Sequence, residues 1–272
     1  MINSLLKTPV SYLDSRQFLT YLISYSFFRF LIIAGSMFLI FYFLGNSKNW
    51  FQKRQIQPKK SPADKTKLEI YFSIGSILSF ILVLTLTYSL AISQNNFFSN
   101  FSQVFFDINE RPFWYHIITF LLLFLFHDVW FYWTHRFLHT KFMMTKIHKY
   151  HHLFRNPTPF ATFAVHPVEA LIEHSYLLVF SLFFPIFLPI LFFESFFALI
   201  FSTLWHSGYE VFPQAFAKNK FLKLLNNSTH HNLHHQKPLG GYSFIFNFWD
   251  QIFKTNRKEY WQYLQRVMDK KA

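Results

Sequence analysis

The chain has 272 residues, 52% hydrophobic and 23% aromatic with 41 Phe, a balance too apolar for an ordinary soluble domain of this size. Its formal net charge is +13, yet the basic residues flank apolar runs instead of forming an arginine-rich arm, so contact with an anionic membrane surface is expected and nucleic-acid binding is not. Cysteine is absent, which excludes disulfides, thiolate metal sites and Cys-ligated iron–sulfur clusters.

Phe18 to Leu44 is an apolar run whose one charged residue is Arg29. At ~1.5 Å per residue it is long enough to cross a ~30 Å hydrocarbon core. It is too long for a signal-peptide core and no A-x-A-like site follows, so a retained anchor is expected, with Arg29 snorkelling or facing other helices. Residues 45–67 form a polar linker with seven Lys/Arg and one acid, Asp64. A second run, Ile70 to Ile92, carries no charge; a loop from Ser93 to Pro112 leads to a third, Phe113 to about Trp133. The positive-inside rule puts the linker on the cytoplasmic side and the loop, with Arg111 against Asp107 and Glu110, on the other. The chain then returns to the cytoplasm with Arg136, Lys141, Lys146, Lys149 and Arg155.

The fourth apolar stretch, Leu171 to Trp205, has Pro185 and Pro189 near its middle. Proline inside a helix removes a hydrogen bond and kinks or breaks it. One kinked span would put His206 to His235 across the membrane from the earlier histidines; a hairpin would return them to the same side. Each arm would be short, ~21–24 Å. The hairpin is the expectation, supported by ten basic residues after His206. The expected fold is an all-α integral membrane protein with about four transmembrane or hairpin elements and a cytoplasmic, histidine-rich helical cap.

Thirteen of the 14 histidines lie between Phe126 and His235. Eight form three tight sets: His135 and His139; His148, His151 and His152; and His231, His234 and His235. Residues three and four apart share a helix face, so three short helical segments would point these rings inward. Imidazole suits iron, zinc, copper and nickel, and eight rings are too many for one ion, so two metals are expected. His206 is a candidate ninth ligand. Glu210 and His166 are weaker candidates, and His230 points elsewhere on a helix. His127 is expected to hydrogen-bond inside the bundle, and His174 and His116 read as structural. Asp128, Glu169 and Glu173 are the nearby carboxylates available to orient ligands, with Tyr132 and Arg136 beside the first set. No catalytic acid or base is assigned.

The chain resembles the fatty acid hydroxylase superfamily, in its sterol desaturase/C4-methylsterol oxidase-like branch. The residues that carry the resemblance are D-x-x-x-Y-W-x-HR-x-x-H (Asp128 to His139), H-K-x-HH (His148 to His152), HP-x-E (His166 to Glu169), HSGYE-x-x-P (His206 to Pro213), HH-x-x-HH (His230 to His235) and FWD-x-x-F-x-T (Phe248 to Thr255). It divides the chain into an anchor region with two spans (1–112), a di-metal region (113–256) and a basic tail (257–272). It implies a membrane-bound non-haem enzyme with two iron ions and O₂ as co-substrate, which hydroxylates or desaturates a C–H bond of a lipid or sterol-like substrate. Electrons would come from a separate donor, a reductase with a cytochrome b5-like or ferredoxin carrier. Two departures are Lys254 where the family usually has Gly, and Gly240 to Tyr242 in place of Asn-Tyr-Gly; both are expected to bear on substrate more than on metal. The rival readings are an integral-membrane acyl-lipid desaturase and, in another class, a histidine-rich metal transporter, which would place its ligands in mid-membrane.

Overall fold

The computed structural model describes residues 14–43, 49–93, 102–213 and 215–269. Parts of the polar linker, of the loop before the third span and of the basic tail lie outside the described residues.

Helix α1 (Ser15–Phe38) runs on into a π-helical turn, Leu39–Phe43. Asp14 caps it by accepting from the Gln17 amide at 2.8 Å while the Gln17 side chain reaches back to the Asp14 amide. Phe18, Leu22, Phe30 and Ile33 face inward, whereas Phe28, Leu31 and Ile32 are exposed. A helix apolar on both faces satisfies neighbours on one side and lipid on the other. After the short α2 (Asn49–Arg54) comes α3 (Ala63–Ala91). One edge of α3 carries Ser73, Ser76 and Ser79, whose hydroxyls donate to the carbonyls of Phe160, Phe163 and Pro167 at 3.1, 2.6 and 3.1 Å. Small hydroxyls allow close approach and satisfy carbonyls that hydrocarbon would leave bare.

Strand β1 (Val104–Phe105) precedes α4 (Phe113–Leu138), which carries the third apolar run past Trp133 to the first histidines. Then follow α5 (Lys141–Lys146), a 3₁₀ segment at His148–Leu153 and another at Pro159–Phe163.

The fourth apolar stretch is a hairpin. Its first arm is α6 (Pro167–His174) and α7 (Tyr176–Phe183), its tip includes β2 (Ile186–Phe187), and its second arm is α8 (Leu188–Trp205). Pro185 sits in the tip, and Pro189 lies in the first turn of α8, where the missing amide has no intrahelical partner to lose. Parallel pairing of Val104 with Ile186 and Phe105 with Phe187 ties the tip to the loop that precedes α4. Both α4 and α8 start at this end and carry histidines at the other. Four helical segments, 15–43, 63–91, 113–138 and 188–205, are long and apolar enough to cross a bilayer.

The remaining elements cover the histidine end: α9 (Ala215–Lys218), α10 (Ser228–Gln236), α11 (Phe248–Ile252) and α12 (Tyr260–Met268). Tyr260 and Leu264 of α12 pack under Leu233 of α10, and Tyr260 Oη accepts from Asn227 Nδ2 at 2.6 Å. The linker contributes a backbone pairing, Ile56 to Gly208 and Glu210 to Arg54, which fixes the chain after α8.

Candidate metal centre

Nine buried or half-buried histidines come together at the ends of α4, α8 and α10 and in the 3₁₀ segment. They form two adjoining groups. His135, His139, His148, His152 and His234 make one; His151, His206, His231 and His235 make the other, and within each the facing ring nitrogens lie within 4.8 Å of one another. Both H-x-x-H-H sets are split. His148 and His152 enter the first group while His151 enters the second, and His231 and His235 enter the second while His234 enters the first. The rings of His152 and His235, one from each group, have centroids 5.3 Å apart.

Local structure explains the split. In α10, His234 and His235 are consecutive and so point about 100° apart around the helix, with His231 between them. His235 joins His231 in one group and His234 turns toward the other, so one helix serves both. The His148 segment is a 3₁₀ turn, not the α-turn that the spacing suggests. The result is the same alternation on the opposite wall.

The outer nitrogens fix the tautomers. Nδ1 of His135 contacts the Tyr242 carbonyl at 3.0 Å, that of His234 the Gly240 carbonyl at 3.0 Å, and that of His206 the Ser202 carbonyl at 2.7 Å. A carbonyl only accepts, so each Nδ1 carries the proton and each Nε2 keeps its lone pair. His148 Nδ1 lies 2.6 Å from a Glu169 carboxylate oxygen. The inward Nε2 atoms crowd together: His148 to His139 3.0 Å, His139 to His234 3.1 Å, His231 to His206 2.9 Å and His235 to His231 3.1 Å.

Burial keeps these rings neutral. It lowers His206 to about 4 and His234 to about 3, desolvation being the largest cause in both. Desolvation first, then the neighbouring imidazoles, also lowers His139, His148, His152, His231 and His235. Neutral imidazoles with converging lone pairs are the protonation state that metal binding needs.

Several sequence candidates stand elsewhere. Asp128 touches none of the nine rings; its carboxylate accepts from the amides of Ile245 and Phe246 and from Trp249 Nε1, at 2.7, 3.2 and 2.7 Å. Tyr132 bonds to Thr255 Oγ1 at 2.9 Å, and Arg136 lies over Trp133 and Phe253. Asp128 and Tyr132 lie seven and three residues before His135 on α4, but their polar atoms meet Ile245, Trp249 and Thr255 while the His135 Nδ1 meets the Tyr242 carbonyl. Glu210 accepts from the amide and hydroxyl of Thr229 at the start of α10, and His166 caps α6 by accepting from the Val168 amide. His230 turns away toward Asp250, at 3.5 Å. His127 Nδ1 meets Glu194 at 2.8 Å within the bundle, and His116 bonds to the Ile108 carbonyl.

Sequence reasoning missed the loop over residues 240–250. Gly240 and Gly241 have φ of 85° and 80°, and a Cβ on Gly240 would lie 2.5 Å from the Thr255 carbonyl. This close approach aims the Gly240 and Tyr242 carbonyls at His234 and His135. Asp250 braces the loop from below, accepting from the amides of Tyr242 and Ser243 and from Thr255 Oγ1 at 3.0, 2.8 and 2.6 Å. The departures from the family pattern at Gly240 to Tyr242 therefore sit directly behind two ring nitrogens. Lys254, the other departure, has φ of 54°, the left-handed region that glycine favours.

The profile of the family described as Fatty acid hydroxylase matches residues 120–255. The chain is 31% identical over 154 residues to lathosterol oxidase of Rattus norvegicus, a match covering 56% of this chain and 50% of that protein. Against methylsterol monooxygenase 1 of Rattus norvegicus it is 27% identical over 172 residues, 63% of this chain and 57% of the relative. A Dictyostelium discoideum protein provisionally named methylsterol monooxygenase is 30% identical over 220 residues, 80% of this chain and 78% of its own length. The chain thus spans about half the length of the rat lathosterol oxidase. No solved structure matches it. The profile and these relatives carry one conclusion: the chain belongs to the fatty acid hydroxylase superfamily, in its sterol oxidase-like branch.

Proposed function

We propose that this integral membrane protein is a non-haem di-iron oxygenase that hydroxylates or desaturates a C–H bond of a lipid or sterol-like substrate with O₂ and external electrons. The observation that carries the proposal is the division of nine imidazoles into two adjoining groups with their lone pairs inward. The donor set fits the metal. Two nitrogens held ~2.1 Å from one first-row ion lie ~3.0–3.4 Å apart, and the facing Nε2 atoms are separated by 2.9–3.2 Å. Bare lone pairs at that spacing repel, so a shared cation is what makes the packing favourable. His135, His139, His148, His152 and His234 would hold one ion, and His151, His206, His231 and His235 the other.

Such a pair supplies O₂-dependent oxidation of an unactivated C–H bond, and the protein supplies position, ligand orientation and exclusion of water. Glu169 and the carbonyls of Gly240, Tyr242 and Ser202 hold the ring protons outward. A cavity next to both groups is walled by Phe131, Phe163, Leu199, Trp205 and Phe244, and these side chains present an apolar surface to a lipid and keep bulk water from the site.

The histidine end reads as cytoplasmic, because Lys141, Lys146, Lys149 and Arg155 lie at that end of the bundle and Asp107 and Glu110 at the other. The chain has no cysteine to hold an iron–sulfur cluster, so electrons would come from a separate carrier, steered to this basic face. The test is to supply the purified, iron-loaded protein with a reductant and a membrane lipid extract under ¹⁸O₂. A lipid product that carries the label or has lost two hydrogens, formed only with O₂ and iron, is the expected result. Metal flux through vesicles without O₂ consumption would assign the protein to transport instead.

A further inference from the structure

Arg29, buried in the middle of α1, plays no part in the centre described above. Its guanidinium donates to Ser195 Oγ at 2.6 Å and lies against two aromatic faces, 4.3 Å from the Phe80 centroid and 5.0 Å from that of Tyr25. Its Nε is buried with no hydrogen-bond partner. The neighbouring carboxylate is already engaged: Glu194 accepts from His127 Nδ1 at 2.8 Å and from Tyr176 Oη at 2.5 Å. Among the described residues no carboxylate lies within ion-pair distance of Arg29. A cation left in this state within a membrane helix is expensive, and such residues mark ligand paths.

The cavity supplies the context. Arg29 lines the same cavity as His135, His148, His151 and His206. One wall is a stripe of α8 made by Ser195, Ala198, Leu199, Ser202 and His206, whose spacing of three and four residues puts them on a single face. The stripe runs from the Arg29 partner to a histidine of the second group, eleven residues or ~16 Å of helix rise. Nδ1 of His174, in the same lining, is also shielded and without a partner. The cavity therefore has imidazoles at one end and a donor-only guanidinium at the other, and its lining mixes apolar side chains such as Phe131, Phe163, Leu199 and Phe244 with Ser195, Ser202 and Glu173.

We propose that Arg29 binds an oxygen acceptor at the polar end of an amphipathic lipid, either a ring hydroxyl or a chain carboxylate, and that the lipid lies along α8 with its far portion against the histidines. Guanidinium offers five N–H donors and no acceptor, so an oxygen bearing lone pairs is the group it lacks. The assignment of the far portion as the part oxidised rests on the oxygenase reading; the binding of the oxygen does not. On both together, oxidation falls several bonds from the anchored oxygen.

Binding is measured on the metal-free protein in detergent, so failure of the oxygenase reading leaves this test intact. Four probes are compared by equilibrium binding: cholestan-3β-ol against cholestane, and stearic acid against octadecane. The expected result is at least a tenfold preference for the oxygen-bearing member of one pair, and which pair shows it identifies hydroxyl or carboxylate. Arg29→Met is expected to erase that preference while leaving the oxygen-free probe unaffected, and Arg29→Lys to retain part of it. A purely structural role for Arg29 would lower stability without changing the preference, and that result would overturn the proposal. So would equal binding within both pairs, or no binding of any probe. If Arg29→Met does not give monodisperse protein, the wild-type preference and its change in Arg29→Lys decide the matter.

Discussion

His148 Nδ1 lies 2.6 Å from a Glu169 carboxylate oxygen, and both side chains are buried. Glu169 lies 21 residues away at the start of the hairpin's first arm, so this bond couples a membrane element to the centre. Removing a carboxylate that orients a ligating histidine typically lowers metal affinity 10–100-fold. Glu169→Ala is expected to lose iron by about that factor, and Glu169→Gln, which keeps an acceptor oxygen, by less. Metal titration of the purified variants, with equal membrane insertion as control, checks the order.

The division of each H-x-x-H-H set gives a stoichiometric expectation. His151→Ala removes a ligand from the four-histidine group and leaves His148 and His152 in the other. Iron content should fall from about two per chain toward one, with turnover abolished and membrane insertion intact. Loss of both ions in equal measure would mean that the two groups do not act as separate sites.

Asp128 tests whether the loop behind the rings is held as described. Its carboxylate satisfies three buried donors, on Ile245, Phe246 and Trp249. Asp128→Ala would strand all three, at a cost of about 1–3 kcal/mol each. A fall in thermal stability together with weaker iron binding is expected, because Tyr242 and Gly240 belong to the same loop. Asp128→Asn, which retains one acceptor oxygen, should be intermediate.

Lys254 offers the opposite sign. A non-glycine residue in the left-handed region costs about 1–2 kcal/mol, and among the described residues the side chain of Lys254 enters no ion pair that would offset it. Lys254→Gly is expected to stabilise the protein by up to about 1 kcal/mol, read as a higher Tm, with activity unchanged. Gly240→Ala should do the reverse, since its added Cβ meets the Thr255 carbonyl at 2.5 Å and displaces the carbonyl behind His234.

Much of this architecture is legible in the chain. The apolar runs mark the long helices because a bilayer demands uninterrupted length, and Pro185 and Pro189 point to a break in the fourth run because proline kinks or ends a helix. The tip falls at Pro185, and Pro189 opens α8. The spacing of the histidines gathers the rings, but it does not divide them. That division depends on how far each turn rotates, and the His148 segment is a 3₁₀ turn that its sequence does not announce. The acceptors behind the rings were mostly invisible for a simpler reason: those at Gly240, Tyr242 and Ser202 are backbone carbonyls, which every residue type possesses. Glu169 was readable because its acceptor is a side chain. The partners of Asp128, Tyr132 and Arg136 were not legible, because Asp128 and Tyr132 bond to the distant segment over residues 245–255 and Arg136 to Tyr132, tertiary contacts that spacing along α4 does not specify.

The central claim is tested most directly by counting and characterising iron in the purified protein. Mössbauer spectroscopy of the ⁵⁷Fe-loaded chain is expected to show two ions per chain in nitrogen-rich, magnetically coupled sites, with the coupling lost in His151→Ala. A single uncoupled iron per chain, or a chain that takes up zinc and refuses iron, would contradict it.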